Sequence, residues 1–301
     1  MLNAKLKFSA KRHKVSAFSL QPSAFACSAF TLVEVLVVVV LMSFIILALM
    51  AVFNSTQSAF RASITQTDVL EGGRAAMGLI KSDFESMSPS FGVSNSAVNF
   101  SIAVVVTGTN TPLVQSLAGS GYLRTNVLEE FFILTRQNTT WTGVGYLVDL
   151  TSTNYLNPLY RFSISTNVMA QNAPAMLYTN FINASIASMS HLMDGVVHLT
   201  VRAYDTNGVW MTNGYANLAN LTVKNVQFQP STLGEVGFYM YSNTLPASVE
   251  VQLGMLEDRT LQRAQSISGL VQSNYLAQHA GQVHLFRQRI PIRNVDPSAY
   301  Q

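Results

Sequence analysis

Ala29-Phe30-Thr31-Leu32-Val33-Glu34-Val35-Leu36-Val37 is the stretch on which the reading of this 301-residue chain turns. It leads into nineteen consecutive uncharged residues, Val35 to Phe53. A helix rising about 1.5 Å per residue nearly crosses a hydrocarbon core of roughly 30 Å over that length. Lys5, Lys7, Lys11, Arg12 and Lys14 precede the stretch, and no acidic residue does. The positive-inside rule therefore holds the N-terminal side in the cytoplasm and sends the C-terminal side across the membrane. In a secretory signal peptide the small-residue cleavage site follows the apolar region. Here Ser28 and Ala29 come before it, so the apolar run survives processing. A lipoprotein site at Cys27 lacks a preceding apolar stretch and has Ala24 where a bulky residue is expected.

Much of the 49% hydrophobic content is packed between Phe30 and Phe53, and the remainder is rich in Asn, Thr and Ser. The net charge of +3 is equally local. With the five leader cations set aside, 13 basic residues face 15 acidic ones, a net charge of −2, which gives no electrostatic ground for nucleic-acid binding. Cys27 is the only cysteine and lies in the leader, so a chain cut near residue 29 holds no thiol and no disulfide.

The quoted segment resembles the class III leader of type IV pilins and pseudopilins, in which a peptidase cuts before Phe and leaves Thr-Leu-x-Glu. The resemblance implies that 1–29 is a cytoplasmic leader, removed by cleavage between Ala29 and Phe30, and that the new Phe30 amine is N-methylated by a prepilin peptidase/methyltransferase. Ala29 stands where the family has Gly; as the next smallest side chain it implies slower or equal cleavage, not failure. Glu34 is an ionisable group within an apolar helix, a functional candidate by default. The resemblance implies that it pairs with the N-terminal amine of a neighbouring subunit during assembly. Residues 30–53 are then the transmembrane and assembly helix.

Beyond it, Phe60, Ile64, Leu70, Met77, Ile80, Phe84 and Met87 recur at helical intervals, with charged residues between them. They predict an amphipathic continuation over 54–88, stopped by Pro89, with a weak point or bend at Gly72-Gly73. From there to residue 301 the signals are those of strands and turns. Strand-like runs are Val104 to Val106, Phe131 to Leu134, Tyr160 to Ile164, Val196 to Tyr204, Leu221 to Phe228, Phe238 to Tyr241 and Val249 to Leu253. Turn formers concentrate in Thr107 to Thr111, Gln137 to Gly145 and Asp205 to Gly208. The expected fold class is α+β, pilin-like: a long N-terminal helix packed on an antiparallel β-sheet domain.

Leu192 to Val196 leading through Val201 to Trp210, and Leu245 to Val251, are similar to the paired strands of J-class minor pseudopilins of type II secretion, as is Arg74 to Met87 with Asp83 in a late turn. Leu261, Ala264, Ile267, Leu270 or Val271, and Leu276 depart from that class and predict a helical insertion over 257–280. Arg287, Arg289 and Arg293 follow, either on a charge-protected strand edge or facing a partner's acidic surface.

Catalytic and metal motifs do not emerge. His13, His191, His198, His279 and His284 show no metal spacing, Gly119-Ser120-Gly121 lacks a nucleophile elbow, and Asp205-Thr206-Asn207-Gly208 is half of a calcium loop without its acidic partner. No enzyme activity and no cofactor are expected. The resemblance implies a structural minor pseudopilin in the bacterial inner membrane and then in a periplasm-spanning filament. Its implied partners are I- and K-like pseudopilins, the assembly platform and the bilayer. A minor pilin of a type IV pilus or DNA-uptake filament is the alternative.

Overall fold

Helix α1 runs from Leu32 to Glu85 without interruption. The computed structural model describes residues 31–92, 97–105, 113–117, 121–149, 156–167, 173–212, 214, 223–229, 235–267 and 269–300. The chain divides into two units, the first ending at Gln57 and the second spanning Ser58–Gln301. Leader residues 1–29, Phe30, Val106 and the Thr107 to Thr111 turn lie outside the described residues.

The C-terminal part of α1 buries one side. Val69, Ala76, Met77, Ile80 and Phe84 join Met87 in the main core. Phe60 and Ile64, expected in the same stripe, are instead 66% and 60% exposed. Their spacing is helical, but burial also needs an opposing surface, and the main core begins at Val69. The expected weak point at Gly72-Gly73 is continuous helix. A Cβ at Gly73 would sit 2.2 Å from the Phe286 ring, whereas one at Gly72 would meet nothing within 4 Å. Gly73 therefore admits an aromatic ring against the helix backbone, and helix propensity yields to packing there.

Among the described residues, eleven strands follow. The first five are β1 (Val98–Val104), β2 (Val114–Ser116), β3 (Leu123–Thr125), β4 (Glu129–Gln137) and β5 (Thr140–Val148). Next come β6 (Asn157–Asn167), helix α2 (Ala173–Ile182), β7 (Ser190–Tyr204), β8 (Val226–Gln229) and β9 (Gly237–Tyr241). After β10 (Ser248–Leu256), helices α3 (Asp258–Gln265) and α4 (Gly269–Gln278) precede β11 (Val283–Pro291). Nine strands form one sheet in the order β11-β10-β7-β6-β5-β4-β1-β9-β8, and β2 pairs with β3 apart from it. Every pairing between named strands is antiparallel.

The sheet curls because β7 changes partner along its length. Its pairing with β6 stops at Val196, leaving the second half open on that side. Residues just before β4 close the opening: Leu199 N–H donates to the Val127 carbonyl (2.9 Å), and Leu128 bridges Leu199 in parallel. One rung on, Val201 N–H donates to Glu129 Oε2 (2.5 Å), so a side chain replaces the missing backbone acceptor. Burial holds the Glu129 carboxyl well above the usual carboxylate range; Glu235 adds to the shift, while the Val201 N–H and Arg202 oppose it. Beside it His198 Nδ1 accepts from Val127 N–H (3.2 Å), and burial together with Arg124 and Arg202 brings the imidazole down to about 4. Burial at the seam thus favours the neutral form of both the acid and the base.

Against one face of the sheet, Phe84 of α1 stacks on Phe131 (5.4 Å) and meets Phe100 edge-on (5.7 Å). Phe131 stacks on Tyr146 (4.9 Å), and Phe100 meets Phe238 (5.5 Å), so one aromatic row crosses β5, β4, β1 and β9. Each such pair adds about 0.5–1.5 kcal/mol beyond area burial. Next to Phe84, Asp83 takes a two-pronged contact from β6, with Arg161 Nε and Nη2 each 2.9 Å from a carboxylate oxygen. The Tyr146 hydroxyl donates to Oδ2 of the same carboxylate.

On the opposite side, α2 lays Leu177 and Phe181 over Phe132, Leu134, Trp141 and Phe162. Neither this helix nor the full length of β5 follows from the sequence reading. Gly143 and Gly145, read as turn formers, are strand residues: a Cβ at Gly145 would lie 2.2 Å from the Phe181 ring, and one at Gly143 2.9 Å from Phe132. Only Asn138 and Thr139 turn between β4 and β5. Two helices, α3 and α4, occupy the stretch where the spacing predicts one. β11 is an edge strand, and its arginines are engaged within the fold: Arg287 with Glu250 (2.8 Å), Arg289 over the Tyr204 ring (4.0 Å). Just beyond the strand, Arg293 meets Glu85 (3.6 Å).

The adjacent glycines of α1 give opposite responses to one methyl group. Gly72→Ala is expected to stabilise the protein by up to about 1 kcal/mol. Gly73→Ala should destabilise it by roughly 1–2 kcal/mol through the displaced Phe286 ring. Thermal unfolding of the detergent-solubilised chain reads both, and equal shifts of the same sign would contradict the packing.

Glu129 gives a pH test. Above its reference value of 4.5 the unfolded carboxyl is ionised while the folded one holds its proton, so Glu129 costs stability as pH rises toward its raised pKa. Glu129→Gln keeps an acceptor for Val201 N–H and removes that dependence. The melting midpoint of the variant should gain on wild type steadily from pH 4.5 upward; parallel curves would refute the neutral-acid assignment.

Candidate membrane helix and its first turn

Between Val35 and Phe53 the side of α1 that faces outward is every side. Leu36, Val39, Phe44, Ile46 and Leu49 are all more than half exposed, and no residue of the most apolar window is buried. A core helix of similar length buries its apolar residues within its own protein. This helix is long and apolar enough to cross a membrane. Fourteen Val, Leu, Ile and Phe residues in the segment, at about 0.3–0.6 kcal/mol each, favour insertion by roughly 4–8 kcal/mol.

The one polar side chain of the segment, Ser43, and a hydroxyl just beyond it are satisfied inside the helix. Ser43 Oγ donates to the Val39 carbonyl (2.8 Å), and Thr56 Oγ1 donates to the Val52 carbonyl (2.8 Å). Each hydroxyl reaches back four residues and needs no water, which suits an apolar surrounding.

At the N-terminal end the first turn closes on itself. Thr31 N–H and Thr31 Oγ1–H both donate to Glu34 Oε2, each at 2.9 Å. In return Glu34 N–H donates to Thr31 Oγ1 (3.3 Å). This reciprocal Thr-x-x-Glu arrangement is a capping box, and it satisfies two backbone N–H groups that a helix start otherwise leaves open. Both contacts from Thr31 fall on Oε2, so Glu34 Oε1 keeps its lone pairs for another donor. The sequence reading treats Glu34 through its charge alone; the three-residue spacing to Thr31 was the available signal for the cap. Ala29 and Phe30, the cleavage and methylation positions, lie outside the described residues.

Elsewhere, no group of three or more His, Cys, Asp or Glu able to hold a metal ion occurs among the described residues. His191 pairs with Asp194 (3.0 Å), and His279 Nδ1–H donates to the Tyr275 carbonyl (2.6 Å). Asp205 Oδ1 accepts from Asn207 N–H (2.9 Å) and Val209 N–H (2.7 Å), with Gly208 at φ +77°, so the half calcium loop is a turn braced by its own acid. No protein-family model matches the chain, and no curated protein or solved structure matches it either.

Alkaline carbonate extraction tests the helix. The wild-type chain should stay in the membrane pellet. The double variant Val39→Asp/Ile46→Asp carries a penalty of roughly 5–7 kcal/mol, enough to cancel insertion, and should move to the supernatant. Wild-type chain in the supernatant would remove the membrane role.

Proposed function

We propose that this chain is a structural minor pseudopilin, J-like, of a type II secretion-like filament. The observation that carries the reading is the first turn of α1, where a Thr31–Glu34 box opens a helix that is apolar on all sides and continues to Glu85. Prepilin peptidase cuts between Ala29 and Phe30 on the cytoplasmic side, and the freed Phe30 amine is N-methylated. The apolar part of α1 holds the subunit in the inner membrane with the sheet unit in the periplasm.

During assembly this helix exchanges lipid for the helices of neighbouring pseudopilins, I- and K-like among them. Glu34 then meets the N-terminal amine of a neighbour. An acid and an amine brought together in a low-dielectric bundle neutralise one another, and either left alone there is strongly disfavoured. That pairing sets the axial register between subunits, which apolar side chains by themselves define poorly. The subunit takes its place near the filament tip and supports protein export without chemistry of its own.

Two variants separate the cap from the charge. Gln serves as well as Glu in a capping box, so Glu34→Gln keeps the first turn and loses only the charge; Glu34→Ala loses both. Both should insert and be processed to an N-methylated Phe30 terminus, seen by mass spectrometry, and both should be absent from crosslinked filament fractions. Normal incorporation of Glu34→Gln would limit Glu34 to capping, and an N-terminus other than Phe30 would remove the prepilin assignment.

A further inference from the structure

Helices α3 and α4 have no task in the filament reading, yet they are rigidly held. Leu256, Ala264 and Leu276 bury themselves with Leu113, Leu156 and Val197 in a core of their own. The buried Gln272 donates from Nε2 to the Ala264 carbonyl (2.9 Å) and the Ile267 carbonyl (3.2 Å), fixing the connection between the helices. From β2, Gln115 Nε2 donates to the Leu276 carbonyl (2.9 Å) and pins α4. A surface carried by these helices is therefore preformed.

Such a surface is concave. A pocket of about 580 Å³ is lined by Arg259 and Arg263 of α3, by Tyr275 of α4 and His279 just past its end, and by Glu257 and Gln282. That volume is within the range of small-molecule sites. Arg259 and Arg263 stand one turn apart, so their guanidiniums share a face of α3 and repel each other. Neither has an ion-pair partner among the described residues, unlike Lys81, Arg161, Arg202, Arg287 and Arg293. In the same lining, the Tyr275 and His279 rings pack at 4.1 Å with their planes tilted by 31°, and the His279 Nδ1–H bond to the Tyr275 carbonyl fixes the imidazole. Glu257, the one acidic residue of the lining, makes no side-chain hydrogen bond to the start of α3.

From this arrangement we infer that the α3–α4 pocket binds a small ligand bearing an oxyanion, a phosphate or carboxylate group seated between Arg259 and Arg263. A guanidinium offers paired N–H donors that match two oxygens of such a group, and a bound anion relieves the repulsion between the two arginines. Tyr275 and Gln282 contribute neutral donors beside it, and the fixed His279 ring forms part of the wall. Glu257 faces the uncharged remainder of the ligand and disfavours a second anionic group. The inference needs only the folded sheet unit and is independent of the filament proposal.

The test uses the full chain in nanodiscs of phosphatidylcholine, titrated with inorganic phosphate by calorimetry. Saturable binding to one site per chain is expected. Arg259→Gln/Arg263→Gln should weaken it by at least about tenfold, since it removes charge-assisted hydrogen bonds. Arg74→Gln/Arg136→Gln, which removes two cations of the same unit outside the pocket, should leave it unchanged, and an unaltered melting midpoint shows that each variant is folded. A second arm adds phosphatidylglycerol to the nanodiscs: competition with phosphate identifies a lipid headgroup as the anion's carrier, and its absence identifies a soluble ligand. No saturation below about 10 mM phosphate, or equal weakening by the two double variants, overturns the site.

Discussion

The contact on which the rest of the sheet unit depends is the one between Asp83 and β6. Apolar packing alone holds α1 to the sheet but tolerates rotation or a slip along the axis, because one aliphatic residue replaces another at modest cost. The carboxylate between Arg161 and Tyr146 does not tolerate it, since a shift by one turn would leave a desolvated acid facing apolar neighbours. An apolar trio of equal volume could match its stability. What the polar contact adds is a single register, with Phe84 delivered onto Phe131 and Phe100 and Gly73 delivered under Phe286.

A second constraint follows from the curl. A sheet that bends around one helix must divide its pairing somewhere, and β7 does so at Val196. The freed donors need acceptors in a buried place. Val127 supplies one through its backbone, and Glu129 supplies the next through its side chain, at the cost of burying an acid whose ionised form is disfavoured there. Glu129 Oε1 and Asn126 Oδ1 find no partner among the described residues, so the seam remains the least satisfied part of the interior. On its other side the same half of β7 pairs with β10, and β10 pairs with β11, whose outer edge is guarded by Arg287, Arg289 and Pro291.

Legibility in the sequence tracked how local the determining force was. The apolar run at Val35 to Phe53 and the stripe from Met77 to Met87 could be read because helix periodicity is written within a few residues. The strands through Phe131, Val196 and Val249 showed in their branched and aromatic runs. Gly143 and Gly145 misled, since a glycine that makes room for a distant ring looks in sequence like one that makes a turn. Helix α2 escaped notice because Pro174 and Asn180 resemble loop residues until Leu177 and Phe181 find their hydrophobic partners. Phe60 and Ile64 have the periodicity of the buried stripe and none of its contacts within the chain, so pattern there specified a face and not its cover. Of the candidate site, the membrane-length helix and Glu34 were legible, whereas the closure of the first turn needed the Thr31 rotamer.

That closure explains how an acid can head an apolar helix at all. In every state the chain passes through, the Glu34 carboxylate needs donors, because water grows scarce toward the bilayer interior. Thr31 supplies them from within the same turn and occupies Oε2 alone. In the proposed filament the neighbour's amine arrives at an acid that is already oriented, with Oε1 open, and need not displace the cap. The two contacts therefore add: the first fixes the carboxylate rotamer before assembly, reducing the side-chain freedom lost when the second forms. A serine or threonine three residues ahead of the acid is then part of the assembly surface, through the geometry it imposes and without touching the partner.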